Sequence, residues 1–282
     1  MSTPTLCIPG TDEWNVAALD IDAYLDRIDH PRVPPSAGAL RSLHEAHVRA
    51  IPFENVDVVL GTHRGLQLKV IVDKLVRRRR GGYCHEHALL FAAALEHLGY
   101  PVQRRIARVQ PHRPGPRTHM MLAVDADGVD YLADVGFGAG MLYPMPLRDR
   151  AVVSQAGWDH QLTHDGTLWT LSKRVGHGWE ALHAFDDTPQ HPVDYEVAHH
   201  YTATHPHSPF TGRLIVMRLD HGVSRRLIGD ELTVEHSDGR LERTSVAPER
   251  LDATLRDLDV VLDTDELDAL LASRRRAPAA ED

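Results

Sequence analysis

Cys84 has the residue type and the setting of a nucleophile. It follows two glycines and a tyrosine in the segment RGGYCHE (80–86) and opens an apolar run, 88–98, that contains no proline. The apolar side chains of this run recur at helical spacing, and Gly99 follows where a helix would end. The sequence therefore places Cys84 at the N-terminus of a buried helix. There the helix dipole and free N–H groups favour a thiolate.

An acid and a base for this cysteine are expected on a β-hairpin. Residues 118–135 read as two strands joined by a glycine-containing turn. Pairing residue 124 with 129 puts His119 directly opposite Asp134, where cross-strand Cβ atoms lie about 4.5–5.5 Å apart. A carboxylate that orients an imidazole beside an activated cysteine is a catalytic triad. The hairpin alone is equally compatible with an exposed His–Asp pair and an inert cysteine.

Five segments of the chain resemble those of the arylamine N-acetyltransferases and keep the family's order. They are IPFEN (51–55), RGGYC-x-E (80–86), THM (118–120), DVGFG (134–138) and THP-x-S-x-F (204–210). The resemblance covers roughly residues 51–210. It implies that Cys84, His119 and Asp134 carry an acetyl group from acetyl-CoA to an aromatic amine or hydrazine.

The same resemblance implies binding residues around the nucleophile. Phe137 matches a position that lines the acceptor pocket, and Gly138 matches a position next to the coenzyme. Further matches to the acceptor pocket are Phe53, Val109, Thr118 and Phe210. The chain departs from the family pattern at His85, where an aromatic residue is usual, and at Ala88, where asparagine is common. These departures leave the identity of the acceptor amine open.

Three other functions remain open on the sequence. An amide synthase that closes macrolactams from a carrier-bound polyketide would share the fold and the triad, and His85, Ala88 and the short proline-rich link 109–118 favour it. A Cys-His-Asp hydrolase or transglutaminase-like enzyme would need no coenzyme A, and the ordered motifs outside the triad argue against it. A non-catalytic binding protein would have no reason to keep all three triad residues.

Composition excludes several classes of partner. The 282 residues include 42% hydrophobic and 25% charged residues, which is ordinary for a soluble globular protein. Lys and Arg number 31 against 40 Asp and Glu, a net charge of −9 that argues against nucleic acid or an anionic membrane as partner. We expect small-molecule partners, the amine and coenzyme A, and a homodimer is an open alternative.

The cysteines and the chain's hydropathy indicate a reducing compartment. Only Cys7 and Cys84 are present, so a disulfide framework is not expected. The first residues lack the features of a signal peptide, and no apolar stretch is long enough to span a bilayer. The predicted location is the cytoplasm.

Twenty histidines raise the question of a metal site. In the segment CHEH, only Cys84 and His87 have the i, i+3 spacing that converges on one helix face. No second spaced pair completes a ligand set. We therefore expect no metal.

The succession of patterns predicts an α+β fold. We expect a helical bundle in residues 1–99 with the nucleophile, a β-barrel-like domain in 100–191 with His119 and Asp134, a linking helix at 192–204, and an α/β lid in 205–282 with a disordered tail from 274. The resemblance implies a catalytic core like that of cysteine proteases. Arg80 is expected to pair with Glu54 beneath the active-site turn.

Overall fold

Helices form the first third of the chain and return near its end. The computed structural model describes residues 12–276. Its α-helices are α1 (Ile21–Ile28), α2 (Ala37–Ala50), α3 (Val56–Leu60), α4 (Leu68–Val72), α5 (Cys84–His97), α6 (Pro192–Thr204), α7 (Leu251–Asp257) and α8 (Thr264–Arg276). Short 3₁₀ turns occur at Val16–Ala18 and Pro248–Arg250, and a π-helical turn, Asp73–Arg77, continues α4.

Thirteen strands of the described chain make two antiparallel sheets. They are β1 (Phe53–Glu54), β2 (Val102–Val109), β3 (His119–Ala126), β4 (Val129–Ala133), β5 (Met145–Pro146), β6 (Val152–Gln155), β7 (Trp158–His164), β8 (Trp169–Val175), β9 (Gly178–Phe185), β10 (Ile215–Asp220), β11 (Val223–Ile228), β12 (Glu231–His236) and β13 (Leu241–Ser245). The larger sheet has the order β5-β4-β3-β2-β9-β8-β7-β6, and the smaller has β1-β10-β11-β12-β13. The predicted α+β class is confirmed.

The nucleophile-bearing helix lies at the centre of the main core. Leu90, Phe91 and Leu95 on α5 are fully buried and pack with apolar residues of α1, α2 and the β2–β4 strands. A second core joins the smaller sheet to α7 and α8, and a third covers the other face of the larger sheet. Because α5 is buried on all sides from Cys84 to Leu95, its position is set by surrounding elements rather than by one amphipathic face.

The hairpin that carries His119 differs from the predicted register by two residues. Ala126 pairs with Val129 around a two-residue turn, so His119 does not lie directly opposite Asp134. Both turn residues, Asp127 and Gly128, have positive φ values of 55° and 75°. An Asp-Gly pair in this conformation closes the tightest hairpin loop. A shift of two residues leaves every side chain on its original face, so His119 and Asp134 still meet.

Two features of the structure differ from the predicted strands and tail. Strands β6 and β7 were not expected, because β7 carries only two buried side chains, His160 and Leu162, in a mostly polar segment. Helix α8 extends to Arg276, three residues into the tail expected to be disordered. The rest of that tail, and Cys7, lie outside the described residues. Within 12–276, no helix combines the length and apolarity needed to cross a bilayer.

Candidate active site

Cys84 is the first residue of α5 and is 5% exposed. The carboxylate of Glu86 accepts a hydrogen bond from the Tyr83 backbone N–H at 3.1 Å and so caps the helix beside the sulfur. Gly136 packs against the cysteine backbone, and a Cβ at this glycine would lie 2.9 Å from the Cys84 Cα. The loop after β4 therefore reaches the nucleophile only because residue 136 has no side chain.

His119 and Asp134 form a buried pair next to this sulfur. The His119 Nε2 donates to the Asp134 Oδ2 over 2.7 Å, and the two residues are 4% and 1% exposed. His119 also lies close enough to Cys84 to lower the pKa of its thiol. Since Nε2 faces the carboxylate, the other ring nitrogen, Nδ1, is the one available to the sulfur. The predicted pairing of His119 with Asp134 is present in the structure, and the catalytic roles of Cys84, His119 and Asp134 stay predictions.

Two further histidines hold Asp134 in place. The Nε2 of His183, on β9, donates to the same Oδ2 at 3.2 Å. The Asp134 backbone N–H donates to the His44 Nε2 at 3.1 Å, while the His44 Nδ1 donates to the Leu142 carbonyl at 3.0 Å. The other carboxylate oxygen, Oδ1, accepts from the Gly136 N–H at 3.3 Å. Asp134 is thus fixed in position by contacts from four elements of the chain.

These contacts determine the ionisation of the site. Burial by itself raises the pKa of the Cys84 thiol, but the adjacent His85 and His119 lower this pKa to about 5. Burial alone lowers the pKa of His119, and the Asp134 carboxylate and the thiolate together raise it to about 10. Burial alone would raise the pKa of Asp134. The adjacent His119 and His183 outweigh this effect and hold the pKa well below its usual range. At neutral pH the site is a thiolate–imidazolium pair with an ionised carboxylate.

The Phe137 side chain packs next to the His119 ring of the His119–Asp134 pair. Its ring centroid is 4.9 Å from that of His119 and 5.1 Å from that of His183. Phe53 and Phe210 lie in a separate group, with ring centroids 6.1 Å apart. Phe210 is also 5.8 Å from the ring of Tyr83, the residue before the nucleophile. The three phenylalanines named from the sequence thus approach the residues around Cys84 from different directions.

The remaining predicted binding positions lie around the same residues. The Thr118 carbonyl oxygen is 4.0 Å from the Cys84 sulfur. Val109 is 42% exposed at the end of β2, where it pairs with His183. Gly138 has a φ of 66°, and a Cβ there would lie 2.5 Å from the Met217 sulfur. Met217 pairs with Phe53 across the edge of the smaller sheet.

His119, Asp134 and His183 also form the one group of the described residues with the spacing of a metal site. Both histidines approach Asp134 through Nε2, and the 2.7 and 3.2 Å separations are those of N–H···O hydrogen bonds. A metal ion would need both nitrogens free of protons. The three atoms that could bind a metal, the two Nε2 atoms and the Asp134 Oδ2, are therefore already engaged in hydrogen bonds.

A second set of buried charges lies beneath the turn before Cys84. Arg80 pairs with Glu54 at 3.0 Å, as predicted, and also with Glu266 of α8 at 2.7 Å. Lys74 pairs with Glu86 at 3.0 Å and with Asp57 at 2.9 Å. We name Glu54, Asp57, Lys74, Arg80 and Glu86 the ion-pair cluster. It connects α3, the turn after α4 and the first turn of α5.

Gly81 and Gly82 serve packing rather than a sharp turn. Neither glycine has a positive φ. A Cβ at Gly82 would lie 2.6 Å from the Glu86 carboxylate, and one at Gly81 would lie 2.7 Å from the Glu54 Cγ. The two glycines let this segment lie directly on the ion-pair cluster.

Sequence reasoning missed His44 and His183. Each lies inside an ordinary helix or strand pattern, on α2 and β9, and nothing in the local sequence marks it. Strand β9 reaches the site because it pairs with β2, which in turn pairs with β3. Placing His183 at the site therefore requires knowing that β2 and β9, which are far apart in the chain, are neighbours in the sheet.

A cavity of about 580 Å³ lies on the other side of α5, between α6 and residues 64–69. Trp14, Tyr195 and His199 are among its lining residues. None of the predicted binding residues lines it, and neither does Cys84. The cavity is therefore separate from the positions that the resemblance assigned to the acceptor.

Comparison with known proteins identifies the family. A family model described as N-acetyltransferase matches residues 37–266. The arylamine N-acetyltransferase of Mycolicibacterium smegmatis is 38% identical over 256 residues, 87% of this chain and 90% of the relative. The chain belongs to the arylamine N-acetyltransferase family. The resemblance of the five ordered segments is thereby confirmed.

Solved structures of the arylamine N-acetyltransferase family have the same fold. The crystal structure of the Nocardia farcinica enzyme superposes with a TM-score of 0.86 at 39% identity and covers 93% of this chain and 98% of its own. The enzyme from Mycobacterium abscessus gives a TM-score of 0.89 at 34% identity, with coverage of 96% and 100%. A Mycobacterium marinum enzyme solved in complex with CoA gives 0.83 at 34% identity, with coverage of 89% and 98%.

Proposed function

We propose that this chain transfers an acetyl group from acetyl-CoA to an arylamine or arylhydrazine through an acetyl-cysteine at Cys84. The observation that carries the proposal is the buried Cys84 thiol, whose pKa of about 5 reflects its contacts with His85 and His119. A thiolate is both a strong nucleophile and a good leaving group for acyl transfer. The CoA complex of the M. marinum relative supports coenzyme A as the donor's carrier.

In the first half-reaction the Cys84 thiolate attacks the thioester carbonyl carbon. A new carbon–sulfur bond forms, the bond to the coenzyme sulfur breaks, and the departing thiolate takes the proton of the His119 imidazolium. N–H groups at the first turn of α5 have no intrahelical acceptor and polarise the carbonyl oxygen. The products are acetyl-Cys84, neutral His119 and free CoA.

In the second half-reaction the amine nitrogen attacks the acetyl carbonyl. Neutral His119 accepts the proton of the amine, and Cys84 leaves as a thiolate. Asp134 stabilises the imidazolium that forms and keeps Nδ1 directed at the sulfur. Because CoA leaves before the amine reacts, the kinetics are ping-pong.

The acceptor is held by the residues around this pair. Phe137 offers an aromatic edge next to His119, and Phe53 and Phe210 offer apolar surface on the side of Tyr83. Gly138 packs against the Met217 side chain, at the position that the resemblance places next to the coenzyme. An aromatic amine stacks on such rings with an offset or edge-to-face geometry.

The test is to incubate the protein with acetyl-CoA without an acceptor and to measure its mass and the free CoA. We expect one acetyl group on the peptide that contains Cys84, and its removal when an aniline or hydrazine is added. Cys84→Ser should carry no acetyl group while its thermal unfolding stays unchanged. An unlabelled wild-type Cys84 would contradict the proposal and favour the macrolactam-forming amide synthase.

A panel of anilines and hydrazines, with free CoA measured, would define the acceptor class. The Salmonella typhimurium relative, 35% identical over 233 residues, is named for both N-acetylation of arylamines and O-acetylation of N-hydroxyarylamines. We therefore include an N-hydroxyarylamine in the panel. The cytoplasmic location, the homodimer and the division into three domains with a linking helix stay predictions.

A further inference from the structure

The Cys84 sulfur has a second imidazole neighbour besides His119. His85, the next residue on α5, is 0% exposed, and its Nδ1 lies 3.7 Å from the Cys84 Sγ. This separation is within the range of a hydrogen bond to sulfur. Two imidazoles from different elements, β3 and α5, thus contact the same reacting atom.

The other end of the His85 ring has no polar partner. Its Nε2 is buried and makes no hydrogen bond within residues 12–276. The neighbouring rings are those of Tyr83, Tyr195 and His199, at centroid distances of 5.3, 6.2 and 6.1 Å. The sulfur is therefore the sole hydrogen-bond partner of this side chain in the described structure.

The ionisable groups around His85 stay uncharged on the side of α6. Burial, followed by His63 and His85, lowers the pKa of His199 to about 3, so this ring is neutral. Burial raises the pKa of both Tyr83 and Tyr195, so neither phenol ionises. The two α6 rings nearest His85, those of Tyr195 and His199, therefore carry no charge.

The nearest other charges are engaged elsewhere. The Glu86 carboxylate is bound by Lys74 and lies 3.5 Å from the His63 Nε2. The His119 imidazolium is bound to Asp134 at 2.7 Å. Of the groups that face His85 in the described structure, only the Cys84 thiol lies within hydrogen-bonding distance.

We propose that His85 is a second catalytic residue of the acetyl transfer, donating its Nδ1–H to the Cys84 sulfur. It stabilises the thiolate before attack and again when Cys84 leaves the acetyl-enzyme. His119 must lose and regain a proton during the two half-reactions, whereas the role of His85 needs only its Nδ1–H and no proton transfer. The sulfur is therefore never left without a donor. The role in transfer rests on the proposed function, but the effect on thiol ionisation does not.

The experiment measures iodoacetamide alkylation of Cys84 against pH in the absence of acetyl-CoA. His85→Phe keeps a planar ring and removes the donor, and His85→Leu removes both. For each we expect the alkylation midpoint to rise by at least about one pH unit. Such a rise slows alkylation about fivefold at pH 5 and leaves it unchanged at pH 8.

A matched control is His160→Phe. His160 is also buried, at 2% exposure, and its Nε2 likewise lacks a hydrogen-bond partner in the described structure, but it lies on β7. We expect its alkylation profile to match the wild type. If one His85 variant fails to fold, the other decides, with thermal unfolding recorded for both.

A wild-type midpoint in a folded His85→Phe or His85→Leu variant would overturn the proposal, because His119 alone would then account for the thiolate. The readout needs no acetyl donor, so it is independent of the acetyl-CoA experiment. A shifted midpoint in a protein that does not consume acetyl-CoA would support His85 and contradict the proposed function.

Discussion

Two buried polar clusters contact the first turn of α5, and they differ in how completely their charged groups are paired. One is the ion-pair cluster. The other, which we name the active-site cluster, consists of Cys84, His119, Asp134 and His183. Both are almost fully buried, so burial does not separate them.

In the ion-pair cluster the charges are paired more than once. Lys74 contacts two carboxylates, and Arg80 contacts Glu54 and Glu266. Burial would lower the pKa of Lys74, but Glu86, Glu54 and Asp57 raise it above its usual range. Lys74 is therefore held in its charged form.

In the active-site cluster the Asp134 carboxylate has several hydrogen-bond donors, but the Cys84 sulfur makes no ion pair with a lysine or arginine in the described structure. Asp134 accepts hydrogen bonds on both oxygens, whereas the Cys84 sulfur faces the imidazole rings of His85 and His119. The comparison shows two uses of buried polar groups. Where every charge has opposite charges as partners, the cluster stabilises the turn before α5. Where one group, the Cys84 sulfur, lacks such pairing, that group stays available to react. The predictions below test this difference, beginning with the largest effect.

Asp134→Asn should lower kcat/KM for acetyl transfer by about 10²- to 10⁴-fold. The amide cannot stabilise the imidazolium, so the pKa of His119 falls and the thiolate loses its partner. Steady-state rates and the alkylation midpoint of Cys84 measure the effect, and the midpoint should rise. A rate within threefold of wild type would mean that the carboxylate is structural, like those of the ion-pair cluster.

Lys74→Met should destabilise the fold by about 3–5 kcal/mol, because it leaves Glu86 and Asp57 buried without their cation. Urea unfolding measures this loss. The control is Asp22→Asn at the exposed Arg32–Asp22 pair, where we expect no measurable change. The rate per folded molecule should stay within about threefold of wild type. A large loss of rate with unchanged stability would place Lys74 in the chemistry.

The structural histidines should make the fold sensitive to acid. Burial lowers the pKa of His44 and of His87 to about 4, below the value of about 6.5 in the unfolded chain. The unfolded state therefore binds protons first, and stability falls as the pH drops from 6.5 towards 4. Each histidine should contribute about 2 kcal/mol of this loss at pH 5.

Urea unfolding at pH 7 and pH 5 measures this acid sensitivity. His87→Gln should make the difference between the two pH values smaller, whatever it does to stability at pH 7. The exposed His221, altered to Gln, serves as the control and should leave the difference unchanged. An equal pH dependence in wild type and His87→Gln would refute the assignment.

His183→Phe should have the smallest effect, a loss of about tenfold or less in kcat/KM. The variant keeps a planar ring but removes one donor to Asp134, which retains His119 and Gly136. A loss as large as that of Asp134→Asn would show that His183 and His119 are equal partners of the carboxylate. His160→Phe again provides a matched control.

Much of this site was predictable because its local signals agree with the fold. The bounds of α6 follow from the sequence as the structure has them, since Pro192 marks its start and Pro206 follows its end. The position of Cys84 at the start of α5 follows from the polar step that precedes a proline-free apolar run. Even the wrong hairpin register brought His119 and Asp134 together, because the error was an even number of residues.

What the sequence by itself determined, then, was a cysteine at a helix N-terminus and a His–Asp pair on one face of a hairpin, since both depend on neighbours along the chain. Only the tertiary structure decided that His183, 49 residues beyond Asp134, would donate to the same carboxylate. It also decided that His44 would bind the Asp134 backbone and that Lys74 would bind Glu86. These contacts join elements whose adjacency depends on strand order and core packing, which no local pattern encodes.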